Sequence, residues 1–200
     1  MLNLCMDKKL KIMKKILSVA APSGAGKSTI VKILQKNFSN LLFSVSATTR
    51  EPRGTEVNGR EYFFISVDEF KKMIADGELV EWQEVYLGKF YGTPKSEMNR
   101  IVNEGNIMLL DIDVYGALDV KNKFGDDVLT VFIKPPAPEL SILEDRIRRR
   151  GFDTEDQIKT RLGKAEEELS QAKYFDYILI NDELGKAETE IVSYLARSIE

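Results

Sequence analysis

Residues Ala21 to Thr29 read Ala-Pro-Ser-Gly-Ala-Gly-Lys-Ser-Thr, close to the Gly-x-x-x-x-Gly-Lys-Ser/Thr pattern of a phosphate-binding loop. In that pattern, consecutive backbone N–H groups and the N-terminus of the next helix cradle phosphate oxygens. Gly24 and Gly26 allow the backbone its close approach. Lys27 is placed to reach the β- and γ-phosphates, and the Ser28 hydroxyl to ligate Mg2+. Ala21, Pro22, Ser23, Gly24, Ala25, Gly26, Lys27, Ser28 and Thr29 are therefore predicted to hold ATP, although Ala21 stands where the general pattern has glycine.

Three further groups could act beside this loop. Arg50 and Arg53 flank Pro52 on a Pro/Gly-bounded segment, with Tyr62 downstream. Two guanidinium forks and a phenol can clamp a second phosphate, which a kinase needs for its acceptor. Leu109-Leu110-Asp111-Ile112-Asp113 puts an acid at the end of an apolar run, the rim where ligands of α/β folds bind. Asp111 is the candidate Mg2+ ligand, directly or through water. Asp113 is expected on the same face by the two-residue strand period. A helix cap or a solvated strand end also fits these acids. Arg146, Arg148, Arg149 and Arg150, with Arg161 beyond, suit a helical flap that screens charge on a transferring phosphoryl group. Each arginine also fits a solvated helix face paired with Asp145, Asp153, Glu155 or Asp156, and Arg148 and Arg149 fit that description best. Glu166-Glu167-Glu168 reads as a solvated face, and Trp82 as packing.

The elements that position these groups follow from periodicity. Ile16–Ala21, Ile107–Ile112 and Leu129–Ile133 are short apolar runs, read as buried parallel strands. Lys27–Phe38 carries an apolar stripe at helical spacing. Phe43–Ser46, Tyr62–Ile65, Leu79–Tyr86 and Tyr177–Ile180 read as strands, and Ala47–Arg60 as a loop. Helices are expected at Val67–Ala75, Pro94–Glu104, Tyr115–Phe124, about 138–149, 154–173 and Ala187–Ile199. The fold class is α/β: a three-layer parallel-sheet core (13–43, 94–134 and 174–200), an inserted small mixed α+β lobe (44–93) and a helical lid (135–173).

Composition narrows the chemistry. The 200 residues are 43% hydrophobic and 30% charged, a globular balance, and a net charge of −3 gives no field to attract nucleic acid or an anionic membrane. The absence of histidine excludes a Ser-His-Asp hydrolase and a zinc-histidine site. Cys5 is the only cysteine, which fits a reducing cytoplasm. Lysines before Ile16 imitate a secretory leader, but the six-residue apolar run is shorter than the roughly 7–15 such a leader needs. Residues 1–12 read as an extension without regular structure, with Met13 an alternative start.

The order Ser-Gly-Ala-Gly-Lys-Ser, Thr-Thr-Arg-x-Pro-Arg, Gly-Arg-Glu-Tyr-Phe-Phe, Tyr-Gly-Thr, Leu-Asp-Ile-Asp and Ile-x-Asn-Asp resembles guanylate kinase from about Ile16 to the C-terminus. Ala21 resembles a bacterial form of the loop. The resemblance implies a core that binds ATP with Mg2+, a lobe that binds GMP or dGMP, and a lid that closes over both. It implies that Ser46 and Glu81 read the guanine, with Asp113 assisting. Arg50, Arg53, Tyr62 and Tyr91 would hold the GMP phosphate, with Gly92 and Thr93 lining the site. Arg146, Arg150 and Arg161 match lid positions and Asn181 a position near the adenine. Two departures stand out: Val85–Lys89 is one residue longer than the family pattern, and Phe90 replaces a common tyrosine.

The expected reaction is transfer of the ATP γ-phosphoryl group to GMP, without a general base. The alternatives are a kinase for another monophosphate or phosphorylated sugar, and an inactive protein-binding relative. The intact Lys27, Ser28 and Asp111 speak against the inactive form. The sequence leaves monomer and dimer open.

Overall fold

The computed structural model describes residues 14–151 and 153–199. The expected N-terminal extension, with Cys5 and Met13, lies outside the described residues.

Strand β1 (Ile16–Ala20) is buried along its whole length, as its apolar character, interrupted only by Ser18, leads one to expect of a central strand. It leads through the glycine loop into α1 (Lys27–Asn37). With β2 (Leu41–Phe43), β7 (Ile107–Asp111), β8 (Val128–Lys134) and β9 (Tyr177–Ile180) it forms a five-stranded sheet ordered β2-β7-β1-β8-β9. Every pairing in this sheet is parallel. Val19 of β1 lies beside Asp111 of β7. The glycine loop and the acid therefore leave the sheet side by side at its carboxyl edge, where parallel sheets bind ligands.

Alternate residues feed two cores. Leu17, Val19, Leu109 and Val131 pack against Ile30 and Leu34 of α1 and Ile191 and Leu195 of α7 (Leu184–Ser198). Ile16, Ala20, Met108 and Phe132 pack against Ile101 of α3 (Lys95–Val102) and Ala117 and Val120 of α4 (Val114–Phe124). The result is helix, sheet, helix. Burying each such Leu or Ile contributes about 1.5–3 kcal/mol.

The inserted lobe holds β3 (Ser46–Thr48), β4 (Tyr62–Phe64), α2 (Val67–Ala75), β5 (Leu79–Tyr86) and β6 (Lys89–Pro94). Its mixed sheet is ordered β4-β3-β6-β5 and packs around Phe70, Ala47 and Leu79. The strand expected at Phe43–Ser46 is in fact the junction of two strands in different sheets. Ser44 and Val45 are the crossover, pinned by Ser44 N–H to the Leu109 carbonyl at 3.0 Å and Val45 N–H to Glu97 Oε2 at 2.8 Å. The start of the expected loop at Ala47 is correspondingly strand. The β5–β6 hairpin shifts register between Glu84 and Tyr86. Helices α5 (Glu139–Arg150) and α6 (Glu155–Ser170) make up the segment expected as a lid, and Gly151 between them has φ of 71°. A capping box of Thr154 and Gln157 fixes the start of α6.

Candidate active site

The glycine loop is braced from below. Gly24 and Gly26 both have φ of 95°, a left-handed conformation that favours glycine. A Cβ on Gly26 would overlap the Asn181 amide nitrogen, and that amide donates to the Ala25 carbonyl at 2.8 Å. Arg146 donates to the Asn181 carbonyl at 2.9 Å. The structure places Asn181 buried under the loop, and Arg146 against the Asn181 carbonyl, outside the residues that wall the cleft above. Both act on the shape of the cradle.

Above the loop lies a cleft of about 260 Å³, walled by the loop, Asp113, Arg150 and Arg161. Arg161 donates to Ser23 Oγ at 3.0 Å and to Asp153 Oδ1 at 3.0 Å, so helix α6 touches the loop. Arg148 pairs with Glu144 and Glu155, and Arg149 with Asp145, on an exposed face away from the cleft.

Lys27 sits at the inner end. Its Nζ donates to the Ile112 carbonyl at 2.7 Å and lies 2.7 Å from Asp111 Oδ1. Burial alone would lower the Lys27 pKa; the adjacent Asp111 carboxylate more than offsets this and leaves it raised. Asp111 Oδ1 is buried without an aligned hydrogen bond, so the short approach of Lys27 is an ion pair that leaves lone-pair capacity free. The Ser28 hydroxyl shares a cleft with Asp111. An acceptor-rich carboxylate oxygen and a hydroxyl suit a hard divalent cation, with phosphate and water completing the shell. Among the described residues no group of three or more His, Cys, Asp or Glu could hold a metal by itself. These residues fit Mg2+ carried with a nucleotide.

Asp113 departs from its expected placement. Strand β7 ends at Asp111, and Asp113 caps α4, accepting from Gly116 N–H at 2.8 Å. A carboxylate at that position satisfies an otherwise orphaned helix donor. It still lines both clefts.

The second cleft, about 150 Å³, is walled by Ser46, Tyr62, Glu81, Tyr91 and Gly92, and it meets the first at Lys27, Val85 and Asp113. Glu81 is 8% exposed, and Thr93 Oγ1 donates to its Oε1 at 2.6 Å. Burial pushes its pKa up to about 7, against the lowering effect of Thr93. Its other oxygen faces Gly116, where a Cβ would come within 2.8 Å. Tyr62 and Tyr91 meet edge to face at 5.9 Å, and burial raises the Tyr62 pKa.

Arg50 is buried, with its guanidinium 5.1 Å from the Tyr62 ring. It bonds Glu56 in two places, at 2.7 and 3.0 Å, and the Glu51 carbonyl at 2.7 Å, using three of the five N–H donors of a guanidinium. Arg53 is exposed and lines a separate cleft with Leu87 and Arg161, so in this structure the two arginines do not converge. Trp82 is half-exposed beside Phe90, outside both clefts.

Several residues escaped the sequence reading: Glu56, the partner of Arg50, and the wall residues Gln83, Tyr86, Lys164 and Glu168. Glu168 is a correction. It is 5% exposed and faces the first cleft, not solvent. The signal was present: Arg161, Lys164 and Glu168 fall at i, i+3 and i+7, one face of a helix.

Comparison with known proteins agrees with this geometry. The guanylate kinase family model matches residues 13–198. A guanylate kinase of Porphyromonas gingivalis is 45% identical over 188 residues, 94% of this chain and 99% of the relative. One of Maricaulis maris is 46% identical over 172 residues, 86% of this chain and 78% of the relative. The crystal structure of guanylate kinase from Anaplasma phagocytophilum superposes with a TM-score of 0.73 at 30% identity, covering 95% of this chain and 89% of that one.

Proposed function

This chain belongs to the guanylate kinase family, enzymes that transfer the γ-phosphoryl group of ATP to GMP, and from that premise we propose which residues perform each part of the reaction. The observation that carries the assignment is the meeting of the two clefts at Lys27: a phosphate cradle on one side and an acid-lined pocket on the other.

ATP lies on residues 21–29, with Lys27 leaving Asp111 to follow the β- and γ-phosphates. GMP lies in the lobe cleft of residues 44–93. The ionised Glu81 accepts from guanine N1–H and the 2-amino group, while Ser46 donates to O6. Adenine offers neither of those donors and would leave a buried carboxylate unpaired, a strong ground for rejection. Tyr62, Tyr91 and the two free N–H groups of Arg50 hold the GMP phosphate. Arg53 joins them when the lobe closes, and Thr93 fixes the rotamer of Glu81. Deoxyribose is accepted as well, since none of these contacts uses the 2′-hydroxyl.

The nucleophile needs no base. A phosphate monoester has a second pKa near ~6 and is mostly dianionic at neutral pH. Its oxygen bonds to the γ-phosphorus as the bond to the β,γ-bridging oxygen breaks, and ADP leaves with that electron pair. Catalysis is alignment and charge neutralisation by Lys27, Arg50, Arg150 and Arg161. Ser28 and Asp111 would hold Mg2+ together with the nucleotide, and the bound ion would supply further neutralisation of phosphate charge. Closure of residues 135–173 excludes water and suppresses hydrolysis of ATP. We place the enzyme in the cytoplasm, on its single cysteine. Its −3 net charge supports small-molecule rather than nucleic-acid partners.

Lys27→Ala tests the cradle. Turnover is expected to fall by several hundredfold or more, consistent with loss of a central charge, with the unfolding midpoint retained. Wild-type turnover by this variant would refute the assignment.

A further inference from the structure

The first cleft has a side whose charges the reaction as described does not use. Lys164 and Glu168 of α6 line it together with Gly26, Lys27 and Ser28. Glu168 is almost fully buried, and the Lys164 ammonium lies 3.6 Å from its Oε1. The same ammonium lies 5.5 Å from the centroid of the Tyr86 ring, which belongs to the inserted lobe. Lys164 is thus held by a carboxylate on its own helix and an aromatic face on the lobe. No hydrogen bond within the protein satisfies its three donors among the described residues, and about a quarter of its side chain remains accessible at the cleft. A buried carboxylate whose partner faces a phosphate-binding loop is costly as mere scaffolding. Burial pushes the Glu168 pKa up to about 7, and the neighbouring Lys164 is the largest influence holding it down. The pair is interdependent.

We propose that Lys164 is a further phosphate-binding cation of this enzyme, contacting the phosphate chain that joins donor and acceptor, and that Glu168 is its positioning residue. This rests on the assignment of the glycine-loop cleft to ATP. Arg150 approaches that cleft from the end of α5, and Arg161 is fixed there by its bonds to Ser23 of the loop and to Asp153. Lys164 differs because its seat is built from both lid and lobe, so it reaches the phosphates in full only when both have closed. Its contribution falls on the transfer step and not on the binding of either nucleotide alone. Lys164 moves no proton: it stabilises charge on the bridging and γ-oxygens as the bond to the leaving ADP lengthens.

The test compares wild type, Lys164→Ala, Lys164→Arg, Glu168→Gln and the Lys164→Ala/Glu168→Gln double variant. The readouts are kcat, KM for each nucleotide, and affinity for adenosine and guanosine joined 5′ to 5′ by five phosphates. Thermal unfolding checks each fold. Lys164→Ala is expected to lower kcat roughly tenfold or more, to change either KM less than threefold, and to weaken the bridged dinucleotide in proportion to kcat. Lys164→Arg restores part of both. Glu168→Gln lowers kcat in the wild-type background and has no further effect beside Lys164→Ala, because it acts through the lysine. Lys164→Ala within twofold of wild type in kcat and bridged-ligand affinity overturns the proposal, as does an additive double variant. Lys27→Ala, measured alongside, separates the levels. If it is inactive while Lys164→Ala is unimpaired, only the lysine assignment fails; if it is active, the ATP cradle fails with it.

Discussion

Glu81 shows how one buried carboxylate can set both selectivity and pH response. Its pKa of about 7 is raised by burial, and only the ionised form accepts both guanine donors. Below pH 7 the side chain must lose a proton before GMP binds. The KM for GMP should therefore be flat above about pH 7.5 and rise about tenfold per unit well below 7, measured with ATP saturating. For the free protein the raised pKa means the folded state holds this proton more tightly than the unfolded chain. Stability therefore falls as pH rises between about 4.5 and 7. Glu81→Gln removes that penalty. It should stabilise the unliganded protein at pH 8 by up to about 3 kcal/mol while lowering kcat/KM for GMP at least a hundredfold. Denaturant unfolding and initial rates read the two effects. At this scale the sequence was uneven. Lys27 and Ser28 were legible because the loop pattern fixes their roles. Glu81 was legible only through the family resemblance. Glu168 was misread because three successive glutamates look solvated, and only helix phase shows that the third turns inward.

Among the elements, the buried strands read clearly because parallel strands covered on both faces are apolar throughout. Strand β6 did not, since Lys-Phe-Tyr-Gly-Thr-Pro carries two residues that normally interrupt strands. It is a strand because β3 and β5 pair with it on both sides. Gly92 is needed there, as a Cβ would meet the Glu81 carbonyl at 2.9 Å and Trp82 Cβ at 3.0 Å. The brace under the glycine loop was also hidden, because Asn181 lies 156 residues from Ala25 in sequence. Asn181→Ala should leave the Ala25 carbonyl without its partner, costing about 1–3 kcal/mol and raising the KM for ATP more than that for GMP. At the start of α6, Thr154→Ala removes the cap and should cost about 1 kcal/mol. Its signature would be faster amide exchange at 155–158 than in α1, together with a lower kcat, because Asp153, just before that helix start, holds Arg161 at the cleft.

The whole molecule is a sheet edge flanked by two appendages. The register of β1 against β7 sets Lys27 beside Asp111, the lobe brings Glu81 to one side, and the lid brings Arg161 to the other. The inserted lobe was visible in the sequence as a block of different character. The approach of Lys164 to Tyr86 was not, because it depends on how the blocks pack. Chelating divalent metal with excess EDTA should abolish turnover without moving the unfolding midpoint, since among the described residues no group completes a metal site by itself. The central claim, that this active site joins an ATP cradle to a guanine-reading pocket, is tested most directly by initial rates with GMP, dGMP, AMP, UMP and CMP, following ADP release. GMP and dGMP should exceed AMP by at least a hundredfold in kcat/KM, in line with loss of paired donors against Glu81. AMP turned over as well as GMP would contradict it.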